Sequence, residues 1–349
     1  MKLYFPNKVF TLEDILSGKI NQKKLSQSES YVLNFIKQWH SDKASFNFYT
    51  SGSTGKPKEI NLTRGQLIYS AESTLNYLFD KRPIRKISLC INPAFIGGTQ
   101  VIVRALVANA DLTVATPSSD ALEKIDRPID LVSMVPLQVY SELKKPNPFE
   151  DIDTVLIGGA EFDSSAERYL QNIPMTRFFH TYGMTETASH IALRRIGTKN
   201  YCPIGDIEIK LDDRSCLQVK GSVTLDEWIT TNDVAEVSKS GFVWKGRADW
   251  VINSGGIKIH PEQIEKKIRE KFVEAQILIV PQPDIQLGNR VVLVSKEPLL
   301  SRINASRILS EYEIPKAEYL IREWPLTLSG KVDRLAVINW TKNNDQQSL

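Results

Sequence analysis

The sequence predicts an α/β protein. A large N-terminal domain of mixed and parallel sheet with helices carries a small β subdomain, and a small, mobile α+β domain follows. Three observations predict this. Between 86 and 171, short apolar runs alternate with helical stretches. After about 200, short strand-like pieces dominate. From 249 the chain mixes helical stretches with further strands. A length of 349 residues also exceeds what one hydrophobic core usually fills, so two domains are expected, 1–248 and 249–349.

Residues 1–45 mix charge with short apolar patches and predict one or two helices, one around Tyr31–Trp39. Phe46 and Phe48 alternate as in a strand, and Gln66-Leu67-Ile68-Tyr69 begins a helix. Lys86–Ile91 reads as a buried strand, and Gly97-Gly98 precedes a helical run, Thr99–Asn109. Leu112–Ala115 is a second strand, ended by Pro117. Leu131–Val135 and Leu137–Leu143 repeat the strand–helix pattern. Thr154–Ile157 runs as a strand into Gly158-Gly159, ahead of a helix at Ser164–Gln171. The β subdomain draws on Ile207–Leu211, Leu217–Val219, Trp228–Thr231 and Phe242–Trp244. The last segment predicts helices at Pro261–Lys271 and Ser301–Ser310, with strands at Ala275–Val280 and Val291–Val294.

Composition excludes several classes of function. The 44 basic and 41 acidic residues leave a net charge of +3, which argues for neither nucleic acid nor a membrane surface. No apolar run reaches the roughly 18–20 residues of a membrane span. Met1-Lys2-Leu3-Tyr4-Phe5-Pro6 has no signal-peptide core, and Cys90, Cys202 and Cys216 form neither a metal spacing nor a disulfide framework. A cytoplasmic protein is expected. The oligomeric state stays open, a homo-oligomer included.

Tyr49-Thr50-Ser51-Gly52-Ser53-Thr54-Gly55-Lys56-Pro57-Lys58 is the most informative stretch. Its two glycines permit positive φ and close backbone approach. Free N–H groups in such a turn form an anion-binding concavity, and lysines place point charges on phosphate. The spacing is not that of the Walker loop, and Pro57 stands where that motif needs Ser or Thr. A strand–loop–helix setting is expected for it.

This loop resembles the phosphate loop of the adenylate-forming enzymes, the family of acyl- and aryl-CoA ligases, luciferases and peptide-synthetase adenylation domains. The resemblance implies contacts to ATP from Thr50, Ser51, Gly52, Ser53, Thr54, Gly55, Lys56 and Lys58. It continues at Tyr182-Gly183-Met184-Thr185-Glu186. There it implies a tyrosine on the adenine, Thr185 on the α-phosphate and Glu186 on Mg²⁺, a hard cation that takes few carboxylates beside phosphates. Gly159, Ala160 and Glu161 would flank the adenine. Asp233 would accept the ribose hydroxyls, with Arg247 beside the same ribose or phosphate. Asp249 would be the interdomain hinge, while Gly255, Gly256 and Lys258 would line the CoA tunnel. Lys331, in Leu328-Ser329-Gly330-Lys331, would enter the site to bridge the acyl carboxylate and the α-phosphate.

The resemblance covers about residues 46–340 and departs from the family in three places. The segment before the phosphate loop is short, so the resemblance implies a truncated first subdomain. Glu59 stands where relatives usually carry Gly. The His common in Asn92–Gly98 is absent, and Phe95 is its expected substitute.

Within the family the likeness runs to the compact o-succinylbenzoate–CoA ligase group, at Tyr182–Ser189 and Val103-Arg104-Ala105-Leu106. The implied reaction is two-step, through an acyl-adenylate, with ATP, Mg²⁺, CoA and a carboxylic acid. An acid with a second carboxylate calls for a cation or several donors in its pocket. Candidates for the pocket are Phe95, Gly97, Arg104, His180, Ser189 and His190, with Arg194 and Arg195 as further cations. Two alternatives stay open: a domain that loads a carrier protein, and a nucleotide-binding protein without catalysis.

Overall fold

Apolar runs such as Ile129–Met134 and Ile152–Ile157 are covered on both faces, which is what a parallel strand needs when helices pack on each side. The computed structural model shows how they assemble. It describes residues 1–6, 8–18, 20–21, 25–50, 58–120, 122–123, 125–160, 162, 164–273, 275–326 and 332–345. Six parallel strands form the centre of a nine-stranded sheet, in the order β9 (Arg177–Met184), β8 (Ile152–Ile157), β7 (Ile129–Met134), β5 (Lys86–Leu89), β6 (Asp111–Val114) and β1 (Lys2–Phe5). Antiparallel strands close both ends: β10 (Ser189–Arg195) and β11 (Cys202–Pro203) beyond β9, and β2 (Lys8–Thr11) beyond β1.

The N-terminal segment holds the expected helix, α2 (Gln27–Trp39), started by a Ser26 capping box. A second, short helix, α1 (Leu12–Leu16), completes the one or two expected, and two strands precede it that the sequence pattern did not reveal. Four-residue strands are too short to show a period. Their evidence is long-range: Leu3 pairs with Leu112 and is fully buried.

Around the phosphate loop the expectation of strand–loop–helix is corrected. β3 (Ser45–Thr50) and β4 (Lys58–Thr63) pair antiparallel from Ser45↔Thr63 to Thr50↔Lys58, so a hairpin precedes α3 (Arg64–Phe79). The Thr63 hydroxyl accepts from the Gln66 N–H at 3.2 Å and the Gln66 side chain returns the bond, so the helix starts at once where the hairpin ends. Glu59 faces outward and accepts from the Tyr49 hydroxyl across the hairpin at 3.2 Å.

Helix α4 (Ile96–Val107) starts earlier than expected and takes both glycines into its first turn. The N-terminal end of that helix crosses the backbone of residues 92–93, and a Cβ on Gly98 would collide with the Asn92 carbonyl. A Cβ on Gly97 would rest 3.7 Å from the Ile91 methyl, an ordinary contact.

The remaining helices α5 (Pro136–Glu142) and α6 (Ser164–Gln171) lie close to their expected positions. Four antiparallel strands make a second sheet: β12 (Glu208–Leu211), β13 (Cys216–Lys220), β14 (Ile229–Ser238) and β15 (Gly241–Arg247). A third sheet follows a short 3-10 turn at Ala248–Trp250. It runs β17 (Ile257–Ile259), β16 (Ile252–Ser254), β19 (Gly288–Ser295) and β18 (Ile277–Asp284), with β20 (Ala317–Leu320) parallel to β19. Helices α7 (Pro261–Lys271), α8 (Leu300–Ser306) and α9 (Arg334–Asp345) accompany it. Two side chains of α7 hold the edge of β15. Glu262 Oε1 accepts from the Arg247 N–H at 3.2 Å, and the Gln263 amide donates to the Lys245 carbonyl at 2.7 Å.

The contrast between the two glycines of α4 is testable. Gly98→Ala is expected to cost about 3 kcal/mol, because backbone must move to relieve the clash. Gly97→Ala is expected to be neutral or stabilising by up to about 1 kcal/mol, since alanine favours helix. Urea denaturation of the two variants measures the difference.

Candidate active site

β9 and β10 form a hairpin, and its turn carries the second motif. Thr185–Thr187 makes one 3-10 turn, followed by Ala188 and Ser189 at φ 51° and 91°. These are left-handed angles on non-glycine residues, which the surroundings must enforce. Opposite them is Gly183, where a Cβ would collide with the Ser189 carbonyl; no larger residue fits. The fully buried Thr187 hydroxyl ties the turn internally, accepting from Met184 N at 3.1 Å and lying 2.7 Å from the Ser189 carbonyl. The β3–β4 hairpin lies against this same turn. The hairpin strands that flank the first motif and the turn that carries the second, more than a hundred residues apart in sequence, therefore meet. Glu186 is half-buried and has no hydrogen-bond or ion-pair partner among the described residues.

A second group forms around Asp233 on β14. The Tyr182 hydroxyl donates to Asp233 Oδ2 at 2.7 Å, and the Trp244 indole N–H donates to Oδ1 at 3.1 Å. Each carboxylate oxygen keeps a lone pair for a further donor. Burial, then the Asp233 carboxylate, pushes the Tyr182 hydroxyl well above its ordinary range, so it stays a donor at any working pH. The Tyr182 ring packs edge-on to Phe242 at 5.0 Å. Arg247 pairs with Asp233 in the β14–β15 register, and its guanidinium donates to Asp249 at 2.6 Å. Asn232 donates to Asp249 as well, at 3.2 Å, so the expected hinge residue is held back to the β14–β15 sheet. Trp244 was not anticipated. The β14–β15 register, with Trp244 opposite Ala235, is the signal that finds it.

The strand β8 ends in Gly158-Gly159-Ala160, with Gly159 at φ 87° and exposed. His180 on β9 holds this segment. Its Nε2 lies 3.1 Å from the Ala160 carbonyl and its Nδ1 2.6 Å from the Tyr201 hydroxyl. A carbonyl only accepts, so the proton sits on Nε2 and Tyr201 donates to Nδ1. Burial pushes the His180 pKa down to about 4, and the Arg194 charge adds to the shift. His180 is thus a neutral, buried pin rather than a group open to an acid. Arg194 is spoken for too, in an ion pair with Glu167 of α6 and stacked over the Tyr201 ring.

The other candidate pocket residues divide in two. Phe95 is exposed at the start of α4, and Ser189 is half-buried. His190 and Arg104 are buried. His190 Nε2 lies 2.8 Å from the Thr74 hydroxyl, and its Nδ1 lies 3.5 Å from the Arg104 guanidinium. Arg104 is 1% exposed, has no carboxylate partner among the described residues, and its Nε meets no acceptor. Burial pulls its pKa down to about 9, still charged at neutral pH.

In the third sheet, Gly255 (φ 58°) and Gly256 (φ 84°) form the tip of the β16–β17 hairpin, a two-residue turn with both angles positive. Lys258 is exposed on β17. Ser51, Gly52, Ser53, Thr54, Gly55, Lys56, Glu161 and Lys331 lie outside the described residues, as does the side chain of Thr50; Lys58 is exposed at the start of β4.

The donor set suits a nucleotide with a magnesium ion. No group of three or more His, Cys, Asp or Glu side chains that could hold a metal occurs among the described residues. A cation here would rest on the single Glu186 carboxylate and on phosphate oxygens, as Mg²⁺ commonly does.

His180 makes acid sensitivity predictable. The folded state holds it near 4, whereas the unfolded chain titrates near 6.5. The stability contribution is complete above the unfolded value, falls as the pH drops below it, and is gone once the folded value is reached. Buried His190 is pushed the same way, by burial and by Arg104. Between pH 7 and pH 5 the loss from His180 alone is about 2 kcal/mol. Urea denaturation at the two values is expected to show at least this loss in the native protein and a smaller one in His180→Gln.

Comparison with known proteins adds the family. A family model described as "AMP-binding enzyme" matches residues 9–223. A 2-succinylbenzoate–CoA ligase of Listeria monocytogenes is 27% identical over 93% of this chain and 76% of its own length. A crystal structure of an acyl-CoA synthetase (AMP-forming)/AMP-acid ligase II-like protein from Dyadobacter fermentans is 30% identical, covers 93% of this chain and 97% of that one, and superposes with a TM-score of 0.62. The o-succinylbenzoate CoA synthetase of Bacillus subtilis, in complex with its acyl-adenylate intermediate, shares the fold at a TM-score of 0.74 and 23% identity, over 83% of this chain and 68% of that one. A family match over more than half of the residues, together with the 30% identical structure, settles the question the two motifs raised: the chain belongs to the AMP-binding enzymes.

Proposed function

We propose that this protein is an AMP-forming acid–CoA ligase, and that its acid is o-succinylbenzoate, an intermediate on the route to menaquinone. ATP lies with its ribose on Asp233, its adenine between Tyr182 and Gly159-Ala160, and its phosphates toward Ser51–Lys58. Glu186 would hold Mg²⁺, which neutralises phosphate charge. The acid's carboxylate attacks the α-phosphate and pyrophosphate leaves. Thr185 and Lys331 supply hydrogen bonds and positive charge where two anions must approach, the main device of such reactions. The small domain then turns about Asp249. Gly255, Gly256 and Lys258 come to line the path of CoA, whose thiol displaces AMP to give the thioester.

The observation that carries the ligase reading is the Asp233 carboxylate. It is oriented by two neutral donors, keeps a lone pair on each oxygen, and sits on the same strand pair as Arg247. The choice of acid draws support from Arg104, a buried cation without a carboxylate partner among the described residues, directly behind Ser189-His190. In a poorly solvated interior such a charge attracts a second carboxylate at short range. The relatives named as 2-succinylbenzoate–CoA ligases point the same way.

Pyrophosphate release from Mg·ATP, with and without CoA, tests both readings on a panel of o-succinylbenzoate, benzoate, cinnamate and medium-chain fatty acids. Strongest release with o-succinylbenzoate, with CoA needed for turnover, is expected. Release that needs CoA but prefers another acid overturns the substrate alone. Formation of an acyl-adenylate that ignores free CoA moves the reading to loading of a carrier protein, and ATP binding without release to a non-catalytic protein. Lys331→Ala is expected to slow adenylation by about 100-fold or more. Arg104→Met is expected to lower kcat/KM for o-succinylbenzoate about tenfold or more while leaving benzoate nearly unchanged.

A further inference from the structure

Two buried hydroxyls lie one turn apart on α3. Ser70 donates to the Ala188 carbonyl at 2.9 Å, and Thr74 touches His190 at 2.8 Å. The residues are 2% and 0% exposed. Between their two contact points lies Ser189, so together they grip both sides of the left-handed pair Ala188-Ser189.

The proton on each group can be assigned. The Thr74 hydroxyl donates to the Ser70 carbonyl at 2.9 Å, so toward His190 it accepts. His190 is then the Nε2–H form, and its bare Nδ1 faces the Arg104 guanidinium. One directed chain runs from Arg104 through His190 and Thr74 to the α3 backbone. Neither Ser70 nor Thr74 is needed to start α3, which has its own cap at Thr63.

We infer that Ser70 and Thr74 are positioning residues that hold the Thr185–Thr187 turn in register with the β3–β4 hairpin. Left-handed angles on Ala188 and Ser189 persist only where neighbours impose them, at about 1–3 kcal/mol each. The two hydroxyls supply that constraint from the helix that begins where the hairpin ends. Helix, hairpin and turn then move as one body, and Glu186 keeps a fixed place relative to strands β3 and β4. The consequence for catalysis rests on the proposed role of Glu186 at the metal.

The test compares Ser70→Ala, Thr74→Val and the conservative Thr74→Ser in the full chain. Hydrogen exchange of the peptide spanning 183–190 is read by mass spectrometry, and pyrophosphate release is titrated with Mg²⁺. Faster exchange in that peptide alone is expected for Ser70→Ala and Thr74→Val, with Thr74→Ser near the native protein. The Mg²⁺ concentration for half-maximal rate should rise, and kcat should fall about tenfold, with KM for ATP changed less than about twofold. Unchanged exchange in that peptide in folded Ser70→Ala and Thr74→Val overturns the inference. Glu186→Gln separates the two claims. If it leaves the Mg²⁺ dependence intact, the metal role of Glu186 fails while the exchange result still decides the clamp. If it raises the Mg²⁺ requirement and the hydroxyl variants do not, the clamp has no catalytic role and the inference fails.

Discussion

The Asp233 carboxylate is where three parts of the molecule meet. Its two oxygens take hydrogen bonds from β9 of the main sheet, through Tyr182, and from β15 of the second sheet, through Trp244. Its partner across the β14–β15 ladder is Arg247, whose backbone N–H is held in turn by Glu262 of α7. Neither donor carries charge, so the carboxylate is fixed in direction without being neutralised. It keeps its attraction for hydroxyl groups. Every later feature of the site is laid out from this junction. The aromatic wall of Phe242 and Tyr201 backs Tyr182, and His180 reaches from the same strand to the glycine-rich end of β8.

The chemistry of the site was more legible in the sequence than its architecture. Tyr182, Glu186, Asp233 and Arg247 were named from short motifs, and the structure sets the Tyr182 hydroxyl on the Asp233 carboxylate, with Arg247 opposite Asp233 on the β14–β15 ladder. The hairpin around the phosphate loop was missed, although Ile60 and Leu62 alternate with polar residues as a strand requires. A helix start nearby drew the reading instead. Strands β1 and β2 were missed for a different reason. They are short, and what makes them strands is a partner in β6, about a hundred residues away.

The histidines show the limit most clearly. From sequence, His180 and His190 were both candidates for a pocket, with His190 preferred because it follows the metal motif. In the structure each is a buried neutral connector whose proton position is dictated by its neighbours: a carbonyl and a tyrosine for one, a threonine and an arginine for the other. Burial of that kind depends on which faces of α3, α4 and β10 come together, and no local pattern encodes it. Arg104 was named as a cation on an apolar helix, yet its near-complete burial could be learned only from packing.

The role proposed for that arginine sets stability against function. A guanidinium buried with an imidazole as its neighbour and no carboxylate partner among the described residues weakens the fold it sits in. A chain selected for robustness alone would carry an aliphatic residue there, and substitutions that remove the charge should be recovered readily in any screen for heat resistance. On the proposed role of Arg104 in holding the acid, α4 is a helix under two opposing demands. Directed evolution toward thermostability in this scaffold will therefore meet its trade-off first at Arg104.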